Sequence, residues 1–151
     1  MPVLRVETRI RAPTERCFDL ARSVETHLGS TSETGEKAIG GVTTGLLGPG
    51  DWVTWEAVHL GIKQRLTAQI TRFERPHVFV DEMIRGAFAS FTHTHEFRSD
   101  GDATLMVDTF SYVSPLGWLG VLADKLFLER YMTSFLRKRA EYLKRVAEEA
   151  Q

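Results

Sequence analysis

The run FTHTHEFRSDGDATLMVDTFSY, Phe91–Tyr112, alternates apolar or histidine positions with small polar and charged ones on both sides of Asp100-Gly101. Period-two alternation marks half-buried strands, and an Asp-Gly pair between two such runs signals a hairpin turn. The same alternation extends back to Trp52. Leu60-Gly61 suits a second two-residue turn, and Glu74-Arg75-Pro76 and Gly86-Ala87-Phe88 suit slightly longer ones. Five consecutive antiparallel strands are therefore expected.

Two faces follow. Thr54, Glu56, Lys63, Arg65, Thr67, Gln69, Thr71, Glu82, Thr92, Thr94, Glu96 and Arg98 form a polar face that should meet water. The opposite face holds Trp55, Ala57, Leu66, Ala68, Ile70, Phe79, Met83, Phe91, Phe97, Met106, Phe110 and Tyr112, with His59, Asp81, His93, His95 and Asp108 among them. Ionisable groups on a hidden face need partners or a task.

The flanks complete the architecture. Leu4, Val6, Thr8 and Ile10 face away from Arg5, Glu7, Arg9 and Arg11, which predicts a first strand ending before Pro13. Two short helices should follow, the first with Cys17, Phe18 and Ala21 turned inward and the second over Val24–Leu28. Gly29–Gly50 is rich in Gly, Ser and Thr and reads as a mobile loop with a short edge strand near Lys37–Gly40. From Gly117 to about Ala147 the apolar residues Leu119, Leu122, Leu126, Met132, Phe135, Leu136, Leu143 and Val146 predict one continuous helix, packed across the sheet through Leu126, Phe135 and Leu143. The expected fold is α+β: a curved antiparallel sheet wrapped around a long C-terminal helix.

Composition narrows the function classes. With 151 residues the chain suits one domain with a substantial core. Lys plus Arg total 19 against 20 for Asp plus Glu, a balance without the basic excess of a nucleic-acid binder. The only cysteine, Cys17, cannot pair within the chain, and it reads as a small buried hydrophobe in a reducing, cytoplasmic setting. The N-terminus lacks the apolar run of a signal peptide, and Asp124-Lys125 interrupts the apolar Trp118–Ala123 stretch too early for a membrane span. No phosphate loop, nucleophile elbow or H-E-x-x-H motif is present, and no cofactor or metal is expected.

This element order resembles the helix-grip fold of the START-like superfamily of lipid-transfer proteins, polyketide cyclases and plant ligand carriers. More narrowly, Phe79-Val80-Asp81-Glu82-Met83 with Gly86 and Phe88, Phe91-x-His93-x-His95-x-Phe97, Tyr112-x-x-Pro115-x-Gly117 and Phe135-x-x-x-Arg139 resemble a bacterial branch of it. The resemblance covers nearly the whole chain and implies a pocket between sheet and final helix, without a shared catalytic signature.

Pairing Phe97 with Thr104 across Asp100-Gly101, and closing Gly86–Phe88 as a three-residue loop, sets His93 opposite both Asp81 and Asp108. His95 then falls between Phe79 and Met106, in apolar surroundings. Paired with two acids, His93 is expected to stay protonated to higher pH than free histidine. Asp81, His93 and Asp108 are the candidate catalytic residues, His93 as general base with a carboxylate fixing its tautomer. The same three suit a buried network that specifies strand register, the more common role of such groups, and His93 and His95 with the two carboxylates also approximate a His/Asp ligand set.

The candidate ligand-binding residues are Trp55, His59, Leu66, Met83, Arg85, Phe91, His95, Phe110, Tyr112, Leu122 and Leu126, with His59, Gln64 and Arg85 at the mouth. Arg137-Lys138-Arg139 reads as a solvated face of the helix. Three functions fit these features: a protein holding a small hydrophobic or aromatic molecule, a cyclase or dehydratase using His93, and an interaction module docking a second copy or another protein through Trp118–Leu122.

Overall fold

The computed structural model describes residues 2–114, 117, 119, 122 and 127–149. Strand β1 (Val3–Ile10) is followed by helices α1 (Thr14–Ala21) and α2 (Val24–Ser30), a short 3-10 turn (Ser32–Thr34), strands β2 (Lys37–Gly41), β3 (Trp52–His59), β4 (Ile62–Glu74), β5 (Val78–Arg85), β6 (Ser90–Asp100) and β7 (Ala103–Val113), and helix α3 (Glu129–Glu149). The strands form one antiparallel sheet in the order β1-β7-β6-β5-β4-β3-β2. Closing β1 onto β7 brings the first strand beside the last, so the N-terminus shares the core with the hairpins.

The inward face is the alternating one. Ile70, Phe79, Phe91, Phe97, Met106, Phe110 and Tyr112 are buried with Cys17 and Phe18 of α1 and with Leu136, Ala140, Leu143 and Ala147 of α3. Phe18 meets Phe73, Phe79 and Phe97 edge-on at 5.3, 5.2 and 5.4 Å, which seats α1 on the sheet. The seam of α3 repeats at i, i+4, i+7 and i+11 with two alanines, so the helix approaches closely. Arg16 of α1 closes its far end by donating to the carbonyls of Ala147 and Val146 at 3.0 and 3.2 Å. A Cβ on Gly29 would stand 2.2 Å from the Tyr142 hydroxyl, so a larger residue there would push the Tyr142 ring aside.

Several sequence expectations change here. The expected continuous helix from Gly117 lies partly outside the described residues, as does Leu126; Leu119 and Leu122 are helical with 49 % of their surface exposed. Phe135 is half-buried and turned toward Tyr131 and His59, leaving the buried seam to Leu136 and Leu143. The expected mobile loop is stapled to α2 and to the end of α1: Val24 N–H donates to the Gly45 carbonyl at 2.9 Å, Gly45 N–H to the Glu25 carboxylate at 3.0 Å, and Leu47 N–H to the Arg22 carbonyl at 2.9 Å. Short polar residues hid these long-range bonds from a reading of local pattern.

The strand register carries the most consequential correction. Leu60-Gly61 is the two-residue turn expected, with both residues at positive φ. The β6–β7 turn is instead Gly101-Asp102, flanked by the pair Asp100 and Ala103. Gly101 takes the first central position with φ +65°, where a tight hairpin most needs glycine. The shift relative to the expected pairing is two residues, so every side chain keeps its face while its partner changes. Phe97 pairs with Met106, and His95, not His93, stands opposite Asp108. The β5–β6 register is as expected, with Asp81 opposite His93 and Phe79 opposite His95, although the connecting loop runs one residue longer to Ala89.

Candidate functional site

Behind α3, the sheet encloses a cavity of about 270 Å³. Val53, Ala57, Leu66, Ala68, Ile70, Phe91 and Phe110 make its apolar wall, and Leu128, Met132, Phe135 and Leu136 cover it from the helix side. Its polar groups fall into two sets.

The first set stands on β5, β6 and β7. Asp108 Oδ1 lies 3.1 Å from His93 Nε2 and 3.2 Å from His95 Nδ1, and Asp81 Oδ2 lies 3.3 Å from His95 Nε2. The two imidazoles stack with centroids 3.8 Å apart and planes 28° apart. Strand geometry produces this stack, because residues i and i+2 share a face. Burial pushes His95 down, but its hydrogen bonds to Asp108 and Asp81 outweigh that and raise it to about 9. Burial and the adjacent His95 charge lower His93, overriding its single bond to Asp108. Burial would raise both acids, yet the histidines hold Asp108 and Asp81 below the ordinary carboxylate value. The surroundings thus favour the charged form at His95 and the neutral form at His93.

This reverses two expectations. His93 is not the doubly paired histidine and is lowered, not raised; His95, expected in apolar surroundings, is the one bracketed by carboxylates. The row of Asp81, His93 and Asp108 across three strands does not form, since Phe110 stands opposite His93 on β7. His93 nevertheless reaches Asp108 diagonally, and all three residues stay on one face.

The second set comes from elements far apart in the chain. Arg139 of α3 donates to His27 Nδ1 at 2.9 Å, and the opposite nitrogen of His27 lies 2.5 Å from Glu36 Oε1. A guanidinium can only donate, so Nδ1 must offer its lone pair and Nε2 must carry the hydrogen. Burial and the Arg139 charge lower His27 against the pull of Glu36, in agreement with a neutral ring. His27 stacks on Trp55 at 3.9 Å. Nearby, His59 Nδ1 meets the Tyr131 hydroxyl at 2.7 Å, and burial lowers its pKa.

Of the candidate ligand-binding residues, Trp55, His59, Leu66, Phe91, His95 and Phe110 line the cavity, as does Gln64. Met83 packs against the core behind it, and Tyr112 is buried against Phe88 and Phe110 without lining it. Arg85 is exposed. Its place is changed by a bulge: Ala68 pairs with Met83 and Thr67 with Arg85, so Ile84 is the extra residue and Arg85 turns to the outer face. Leu122 is half exposed and outside the lining, and Leu126 lies outside the described residues, as does most of Trp118–Leu122. The sequence reading missed His27, Glu36 and Tyr131, and it placed Arg139 in solvent although it lines the cavity. The spacing Phe135-x-x-x-Arg139 was the available signal, since it puts both side chains on one helix face.

A seven-stranded antiparallel sheet closed by a C-terminal helix, with the polar groups turned into the enclosed space, defines the helix-grip class of START and Bet v 1-like proteins. Residues 1–148 match the family described as polyketide cyclase / dehydrase and lipid transport, and the chain belongs to that family. Similar solved structures include TTHA0849 from Thermus thermophilus, 24 % identical with TM-score 0.78 and 95 % of each chain covered. Major latex-like protein 151 from Panax ginseng is 15 % identical with TM-score 0.72 over 97 % of each chain. Protein Ms6760 from Mycobacterium smegmatis is 17 % identical with TM-score 0.70, covering 95 % of this chain and 89 % of that one. No curated protein matches the chain. Among the described residues no helix is long and apolar enough to cross a membrane.

Proposed function

We propose that the protein binds a small hydrophobic or aromatic molecule in the cavity between sheet and α3, with a polar group of the ligand turned toward His93, His95 and Asp81. The observation that carries this reading is a largely apolar cavity into which a few satisfied polar groups converge. At about 270 Å³ the space sits just under the roughly 300–1,000 Å³ of drug-sized sites, so it suits a compact ligand of one or two rings. Trp55, Phe91 and Phe110 offer flat faces to such rings. Neutral His93 supplies a nitrogen lone pair, and the Asp81 carboxylate accepts, so a hydroxyl or amide is the polar group that fits.

Native mass spectrometry of freshly purified protein tests the reading. A co-purifying molecule of fixed mass, lost on denaturation, supports it. So does saturable binding of 2-naphthol to ligand-free protein that Leu66→Trp, which fills the cavity, removes. Absence of both in a folded sample overturns it.

A further inference from the structure

Asp81, His93 and His95 each offer one ligand atom, and the three atoms lie within 4.8 Å of one another on two adjacent strands. We infer that these residues form a binding site for a divalent first-row transition-metal ion, with Asp108 as the positioning residue behind them. Two imidazoles and one carboxylate are the donor set such ions take, and their remaining positions would open on the cavity.

Three features of the geometry carry the inference. His95 Nε2 and Asp81 Oδ2, which share a hydrogen bond in the metal-free protein, stand 3.3 Å apart. Two donors each about 2.0–2.2 Å from a tetrahedral ion stand about 3.3–3.5 Å apart. An ion in place of the bridging hydrogen would therefore need little movement of either side chain.

Asp108 then has a recognisable task. Metal-bound histidines donate their other ring N–H to an acceptor, often a carboxylate, which fixes tautomer and orientation. Asp108 Oδ1 takes His93 Nε2 at 3.1 Å and His95 Nδ1 at 3.2 Å, one acceptor for both rings. Nδ1 of His93 and Nε2 of His95 are left for the ion. The strands supply a stiff frame, because all four residues stand in the paired segments of β5, β6 and β7.

Charge agrees with geometry. Among the described residues, the polar end gathers the carboxylates of Asp81, Asp108 and Glu36 against one permanent cation, Arg139. A dication taking the place of the His95 proton brings this group to neutrality, which buried charges require.

The test uses untagged, chelator-dialysed full-length protein titrated with Co²⁺ by visible absorption and with Zn²⁺ by calorimetry. One ion per chain is expected. Asp81→Asn and His95→Gln should each weaken binding by more than about 100-fold, and Asp108→Asn, which keeps an acceptor but removes the negative charge behind both rings, by about 10–100-fold. Glu7→Gln, on the exposed face of β1 and away from the cavity, should stay within about threefold of wild type. Circular dichroism confirms folding, and because His95→Gln removes a buried pair, partly exposed Asp81 is the deciding position. Failure of wild type to bind either ion at 1:1 up to about 1 mM overturns the site, as does unchanged affinity in folded Asp81→Asn. The 2-naphthol titration, run on metal-free protein, reports on the cavity independently of this result.

Discussion

His95 and His27 both hydrogen-bond a carboxylate inside the same cavity, yet the surroundings favour a charged ring in one and a neutral ring in the other. His95 has a carboxylate on each nitrogen, Asp108 on one side and Asp81 on the other. His27 has Glu36 on one side and the Arg139 guanidinium on the other. A donor at the second nitrogen excludes a proton there, whereas a second acceptor demands one. An acidic neighbour alone therefore does not make a histidine basic; the group on the opposite nitrogen decides.

The largest expected effect is on the acid that both stacked rings share. Asp108→Asn leaves charged His95 with one carboxylate in a buried site, and it should cost about 3–5 kcal/mol, read from urea denaturation at pH 7. Glu36→Gln, which serves a neutral ring, should cost about 1 kcal/mol. Equal losses in the two variants would dissolve the distinction.

The pH dependence sharpens the same contrast. An unfolded chain releases a histidine proton near 6.5, while folded His95 keeps its own to about 9. Between those values the folded state binds more protons, so stability should fall as pH rises, by on the order of 3 kcal/mol in all, after being fully present below 6.5. His27, His59 and His93 are lowered, so their contributions lie below pH 6.5, where they take stability away as pH falls. Denaturation of metal-free protein from pH 6.5 to 9 should show the slope, and His95→Gln should flatten it. An unchanged slope in that variant would place the proton elsewhere.

Two smaller effects concern the helix side. Phe135→Ala should cost about 1 kcal/mol, not the roughly 3–5 of a fully buried ring, because Phe135 is half-buried against His59. A loss above about 3 kcal/mol would place it in the seam. Arg139→Gln removes the charge that helps hold His27 neutral, so the His27 pKa should rise from its wild-type value in an NMR titration. A fall would contradict the donor role of Arg139.

The two regions also differ in how much of them is legible in the sequence. Alternation places Asp81, His93, His95 and Asp108 on the inner face, because a strand's period is set by its backbone. What alternation leaves open is the partner across the ladder, since a two-residue slip preserves every face. The choice between Asp100-Gly101 and Gly101-Asp102 as the turn moved Asp108 from His93 to His95. Arg85 was misplaced by the bulge at Ile84, a local insertion with no Gly or Pro to mark it. His27, Glu36 and Arg139 lie on α2, before β2 and on α3, and no local period connects such distant positions. The sheet side of the site was therefore readable to within one register choice, and the helix side only through the fold.

The binding reading itself is tested most directly by isotope-filtered NMR of metal-free protein with 2-naphthol. Nuclear Overhauser contacts from the naphthyl ring to Trp55, Leu66 and Phe91, with a shift of the His93 ring and little change at His27, are the predicted result. Contacts confined to the exposed Leu119 and Leu122, or none at saturating 2-naphthol, would contradict it.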